Sequence, residues 1–321
     1  MATGLKIALI ADIHHGIDIG TKLGSAALAL MQPFVDWVNA IRPDLVVEFG
    51  DRINDLDKDA DRKWTQDVAH VFTAVQRPCV HILGNHDAYQ LSRAESEEVM
   101  QTTFVSHSRD VQRHHLIFWN SAVQVEQGGF HLAPDDLGWL EADLAATDLP
   151  TIIFSHLPLD NGSMLGNFYF EQAVPRGAHY AEGAAARDLI ERSGKAIACL
   201  AGHTHWNARN TIDGVHYLTI HSLTESFTTH PYPTGAFGIL AIDEYLTLEV
   251  FGRDPALHRL PIKPLGYHWQ NLHRDFAPKP ASLPPRMAAL LAAEGQSDAA
   301  RRTCPLTRGN SLARLPRDLS P

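Results

Sequence analysis

A chain of 321 residues is long enough to bury a sizeable core, as one large domain or two small ones. Hydrophobic residues make up 45% and charged residues 20%, the balance of an ordinary globular protein. A formal net charge of −10 argues against nucleic-acid polymers held by phosphate neutralisation, although bound divalent ions would still allow a locally cationic site.

In chain order, Leu5 to Ala11 is a nearly continuous apolar run, the pattern of a strand covered on both faces, and it ends in Asp12-Ile13-His14-His15-Gly16. Ser25 to Ile41 carries apolar residues at helical spacing and stops before Pro43. A second strand, Leu45 to Phe49, ends in Gly50-Asp51. An amphipathic segment from Ala60 to Val75 leads to a third, Cys79 to Leu83, which ends in Gly84-Asn85-His86-Asp87. This alternation predicts a largely parallel sheet between helices, whose ligands bind beyond the carboxyl ends of the strands.

The middle is less regular. Arg93 to Thr103 and Asp135 to Ala146 read as helices, and 116–119 and 122–125 as strands. Strand 151–154 ends in Ser155-His156. Residues 161–180 have no clear period and read as a binding loop or lid. Helix 184–193 leads into strand 196–200, followed by Gly202-His203-Thr204-His205, whose two histidines would point to opposite faces of an extended backbone. Strands 215–220, 236–242 and 245–251 are expected to form an antiparallel second sheet. The chain thus reads as a domain over 1–253 and a Pro/Arg-rich extension over 254–321, wrapping the domain or partly disordered, with one helical stretch at Arg286 to Ala293. Cys79, Cys199 and Cys304 imply no disulfide framework. With no cleavable leader and no bilayer-length apolar run, a cytoplasmic protein without membrane attachment is expected.

Asp12, His14, Asp51, Asn85, His156, His203 and His205 all fall at strand ends. Imidazole and carboxylate donors without thiolates suit Mn, Fe or Zn. Seven donors are too many for one tetrahedral ion and about right for two ions sharing a carboxylate. Two aspartates against two divalent ions leave the pocket cationic, which favours an anionic substrate, and paired metals about 3.5–4 Å apart suit in-line displacement at phosphorus. Singly, each residue also has an ordinary explanation, as a helix cap, a turn residue or a core histidine.

These motifs, in this order, resemble those of the calcineurin-like metallophosphoesterases: Asp12-Ile13-His14, Gly50-Asp51, Gly84-Asn85-His86-Asp87, His156 and Gly202-His203-Thr204-His205, over roughly residues 5–250. The resemblance implies an α/β fold, a four-layer αββα β-sandwich of mixed sheets flanked by helices. It also implies two divalent or trivalent ions, the first held by Asp12, His14 and His205, the second by Asn85, His156 and His203, with Asp51 bridging. His86 would face the phosphate as the catalytic group, oriented by Asp87. A water whose pKa is lowered to ~7 by the metals would supply a bridging hydroxide for in-line attack.

Substrate contacts are open. Arg52 could clamp a phosphate or pair with Asp55 or Asp57, with the ion pair slightly favoured. His15 could sit on the pocket rim, Phe168 and Tyr169 could stack a nucleobase or aryl group, and Tyr232 could line the same rim. The expected partner is a small phosphoester; a homo-oligomer is left open. A phosphodiesterase is preferred by resemblance, a phosphomonoesterase is the alternative, and a non-catalytic protein-binding scaffold is disfavoured because every ligand is present.

Overall fold

The structure is a computed structural model and describes residues 4–269 other than 122, 124, 127 and 128. In chain order it contains β1 (Leu5–Ile10), α1 (Ala27–Ile41), β2 (Leu45–Glu48), α2 (Lys58–Phe72), β3 (Cys79–His81), α3 (Arg93–Met100), β4 (His107–Val111) and β5 (His114–Trp119). Then follow β6 (Val125–Glu126), β7 (Gly129–Phe130), α4 (Pro134–Ala146), β8 (Thr151–Ser155), α5 (Gly183–Ser193), β9 (Ala196–Ala201), β10 (Ala208–Ile212), β11 (Val215–Thr219), β12 (Phe237–Ile242), β13 (Tyr245–Phe251) and β14 (Ala256–Pro261).

One sheet has the order β14-β13-β12-β1-β2-β3 and the other β10-β11-β9-β8-β5-β4. Each has a parallel centre, β1-β2-β3 in the first and β5-β8-β9-β11 in the second, extended by antiparallel strands. Side chains alternate along a strand, so β1 serves two cores. Leu5, Ile7 and Leu9 meet Leu116, Phe118, Ile152 and Leu200 between the sheets, while Ala8 and Ile10 face Met31, Phe34 and Val35 of α1 and Val68 of α2. On the opposite side, Ile117, Ile153 and Cys199 pack under Leu140 and Leu144 of α4 and Ile190 of α5. The architecture is the expected four layers of helix, sheet, sheet and helix.

The strand partners after residue 207 differ from the expectation. β11 lies parallel to β9 in the second sheet, whereas β12 and β13 extend the first sheet antiparallel to β1. Alternation of apolar residues marks the buried face of a strand and says nothing of its neighbour. Residues 256–261, read as part of the extension, pair with β13 as β14. The helical reading at 286–293, Cys304 and the rest of 270–321 lie outside the described residues. Helix α2 begins two residues early because Asp57 caps it, accepting from the Ala60 amide at 2.9 Å. No helix among the described residues is long and apolar enough to cross a membrane.

The parallel strands of both sheets end at one place. Asp12 donates its amide to the Gly50 carbonyl (3.1 Å), His14 to that of Asp51 (2.9 Å), and Gly202 to that of His156 (3.1 Å). The two sheets are then stitched together where the His203 amide donates to both carboxylate oxygens of Asp12, at 3.0 and 2.9 Å.

Candidate metal centre

The loops at these strand ends bend sharply. Asp12, His14, Asp51, His203 and His205 all lie in the left-handed region, with φ of 51°, 48°, 53°, 66° and 56°. Each such non-glycine residue costs on the order of 1–2 kcal/mol, a strain that folded proteins tend to concentrate at working sites. The simple alternation expected for His203 and His205 is therefore not the geometry adopted; both turn, and they still enter different groups. The glycines permit the close approach. A Cβ on Gly84 would collide with the Asp51 amide, and one on Gly202 would lie 2.5 Å from Asp12 Oδ2.

Two groups of side chains could each hold an ion: Asp12, His14, Asp51 and His205, and Asp51, His156 and His203. Asp51 belongs to both. Its Oδ2 lies 3.8 Å from His14 Nε2 and 3.4 Å from His156 Nε2. Asn85 joins the second group, its Oδ1 being 3.1 Å from His156 Nε2.

The ring nitrogens turned away from the centre assign the tautomers. His14 Nδ1 donates to the Ile53 carbonyl (3.3 Å), His156 Nδ1 to that of Phe49 (2.7 Å), and His203 Nε2 to that of Gly177 (2.7 Å). His205 Nδ1 donates to Glu225 Oε2 at 3.0 Å. A neutral imidazole that donates from one nitrogen keeps a lone pair on the other. Those lone pairs converge: the Nε2 atoms of His14 and His205 are 2.9 Å apart, and His203 Nδ1 is 3.2 Å from His156 Nε2. Lone pairs facing one another at such distances repel unless a proton or a metal ion takes them up; two such pairs beside the shared Asp51 carboxylate fit two metal ions, and imidazole with carboxylate suits Mn, Fe or Zn.

Charge follows this pattern at His14 and His203. Burial, together with Lys22 and His205, holds His14 neutral well below the usual histidine range, and burial beside His156 does the same for His203. His156 departs from this: burial opposes its charge, but the Asp51 carboxylate outweighs burial and lifts it to about 9, so a proton occupies the Nε2 position that a bound ion would take. Asp51 is held well below the carboxylate range because His156 and His86 outweigh its burial. Burial dominates at Asp12 and raises it to about 6. At Glu225 the bond to His205 overcomes burial and pulls the carboxyl down to about 2.

The remaining expected site residues are divided by the fold. His86 lines the cavity over the centre, its amide donating to Asp51 Oδ1 at 2.8 Å. Asp87 does not orient it. The Asp87 carboxylate accepts instead from the amides of Gly84, Asp51 and Arg52, at 2.9, 3.0 and 2.9 Å, and so locks the two loops together. The partner of His86 Nδ1 is Asp55. Arg52 is neither a phosphate clamp nor a partner of Asp55 or Asp57. It is fully buried, pairing with Glu48 at 2.6 Å and Asp87 at 2.7 Å and lying over the Phe104 ring. Moving this guanidinium out to a pocket mouth would leave two buried carboxylates uncompensated, which keeps it in place. His15 turns away towards Asp67 and Trp64 and does not line the cavity. Tyr232 is likewise elsewhere, under Arg253.

The cavity has a volume of about 1080 Å³. Phe168 and Tyr169 line it, with Tyr89, Phe130, Phe170 and Phe227 as further rings. Asp55, Glu225 and Lys22 also line it and belong to no motif. Asp55 lies four residues after Asp51, a faint signal, but Lys22 and Glu225 meet only through the fold.

The family model described as calcineurin-like phosphoesterase matches residues 5–207. No curated protein matches the chain. Among solved structures, a dimetal phosphatase from Danio rerio is similar with a TM-score of 0.66 and 17% identity, over 81% of this chain and 100% of that one. A purple acid phosphatase from yellow lupin (Lupinus luteus) seeds gives 0.56 and 14%, over 81% of this chain and 53% of its own. GAP50, the anchor in the inner membrane complex of Plasmodium, gives 0.54 and 14%, over 88% and 95%. At these identities the likeness is one of fold.

Proposed function

The chain belongs to the calcineurin-like phosphoesterases, a family of metal-dependent phosphoester hydrolases, and from that premise we propose that it is a two-metal hydrolase of small phosphoesters, acting first on phosphodiesters. The observation that carries the reading is the membership of Asp51 in both donor groups, since one shared carboxylate between two sets of lone pairs is what a dinuclear centre requires. Asp12, His14 and His205 would hold one ion and Asn85, His156 and His203 the other. When bound, such ions supply hydroxide near neutral pH and positive charge for the phosphoryl oxygens.

The chain's own groups would do the rest. The carbonyls of Ile53, Phe49 and Gly177 and the carboxylate of Glu225 fix the four imidazoles, a role whose loss costs metal affinity in such sites. Asp55 holds His86 so that its Nε2 addresses the cavity, from where it could protonate the departing oxygen. Phe168, Tyr169 and Phe227 offer rings to a planar substituent and help to exclude water. A cavity of about 1080 Å³ has room for both ester groups of a diester.

Turnover of bis-p-nitrophenyl phosphate and of p-nitrophenyl phosphate by the Mn-loaded protein tests the choice. A preference for the diester is expected. A strong preference for the monoester would instead make the protein a phosphatase using the same centre.

A further inference from the structure

Lys22 has no place in the motifs, yet it is carried to the mouth of the metal centre by a stiff turn. Ile19 and Lys22 exchange backbone hydrogen bonds, each 3.0 Å, around Gly20, which sits at a φ of 59°. That turn is pinned to a distant segment. Lys22 forms a β-bridge with Glu225, the Leu23 amide donates to the Thr224 carbonyl at 3.0 Å, and the Ser226 hydroxyl donates to the Thr21 carbonyl at 2.6 Å. Glu225 also holds His205, so the position of Lys22 is referred to the ligands themselves.

The half-buried side chain lines the cavity and brings Nζ to 3.5 Å from His86 Nε2, the limit of a hydrogen bond. Among the described residues no carboxylate pairs with this ammonium within 4.0 Å. Burial lowers its pKa, while Asp51, Asp55, Glu225 and Asp12 resist that change. Those carboxylates already have partners: His86 for Asp55, His205 for Glu225, and the metal positions for Asp51 and Asp12. A cation held half out of water, with its nearby anions otherwise engaged, leaves room for one more anion beside His86.

Resting on the two-metal reading above, we propose that Lys22 is a catalytic residue that contacts the substrate: its ammonium hydrogen-bonds a phosphoryl oxygen beside His86. The contact serves the substrate and the product phosphate alike, and it strengthens as negative charge gathers on that oxygen during attack. Binding of inorganic phosphate therefore reports it without any turnover.

The test uses the full chain loaded with Mn. Lys22→Met keeps the aliphatic stem and removes only the charge, and Lys22→Arg restores a charge. Phosphate affinity is measured by calorimetry, metal content by elemental analysis and folding by thermal unfolding. Loss of one charge-assisted hydrogen bond should weaken phosphate binding in Lys22→Met about tenfold or more, with two metals retained and partial rescue in Lys22→Arg. Lys22→Gln serves in its place if Lys22→Met does not fold. Unchanged phosphate affinity in the charge-free variant, or tighter metal binding without any effect on phosphate, overturns the proposal. If the unaltered protein binds metal and phosphate but hydrolyses no ester, the hydrolase reading fails, while the phosphate comparison still decides the role of Lys22. If it binds neither metal nor phosphate, both fail.

Discussion

His86 Nδ1 is bonded to the carboxylate of Asp55, which fixes the ring of a histidine that lines the cavity over the two donor groups. A histidine so held can deliver a proton without first reorienting, the kind of group whose loss costs roughly 10²–10⁴ in rate. His86→Ala should therefore lower kcat by about that range with metal content unchanged. Asp55→Ala should lower it by less, about 10–100-fold, because the ring remains and only its orientation is lost. Steady-state kinetics with elemental analysis of both variants measures this. An unaltered kcat in His86→Ala would remove the histidine from the chemistry.

Asp51 is shared by the two donor groups, so its removal should disable both positions at once. Asp51→Ala is expected to retain little of either ion and to lose activity by about a thousandfold or more, the scale on which losing one charge-stabilising contact counts. Removing the ions from the unaltered protein with a chelator should give the same loss, reversed by adding Mn. Retention of one full equivalent of metal in Asp51→Ala would mean that the two groups do not share this carboxylate.

Arg52 lies between Glu48 and Asp87 with no access to solvent. Arg52→Met leaves two buried carboxylates uncompensated and should cost about 3–5 kcal/mol of stability, measured by denaturant unfolding. A residue clamping the phosphate would behave in the opposite way, raising KM while leaving stability intact. The two outcomes separate a structural role from a substrate role in one pair of measurements.

Asp61 in the first turn of α2 is buried, and that burial raises its carboxyl to about 6 although the Leu56 amide bonds it. A folded-state pKa above the unfolded value means that ionisation opposes folding. The cost is fully present above about pH 6 and disappears as the pH falls below about 4. Asp61→Asn should therefore raise the melting temperature at pH 8, by a stabilisation on the order of 1–2 kcal/mol, and leave it nearly unchanged at pH 4. An equal gain at both pH values would show that charge is not the cause.

The seven proposed ligands could be found without coordinates because each follows a short apolar run and a parallel sheet presents all such ends at one edge. The roles of Asp87 and Arg52 could not. Asp87 adjoins His86 in sequence, but the bend at 86–88 turns its carboxylate into the loop amides, and Asp55 is brought to His86 from the neighbouring strand end. His15 adjoins His14 and is likewise turned away, towards α2. Adjacent residues on a tightly turning backbone do not share surroundings.

The amino-acid sequence by itself showed a parallel sheet between helices and seven candidate donors at strand ends, because apolar periodicity and strand-end motifs are local properties of the chain; the four-layer arrangement came from the family resemblance. Only the tertiary structure decided which sheet received β11 and which received β12 and β13, and which partners oriented His86 and His205. It alone brought Lys22 against Glu225, residues more than two hundred positions apart. Those are long-range pairings, set by how the two sheets pack and where their loops meet, and no local pattern of residue types encodes them.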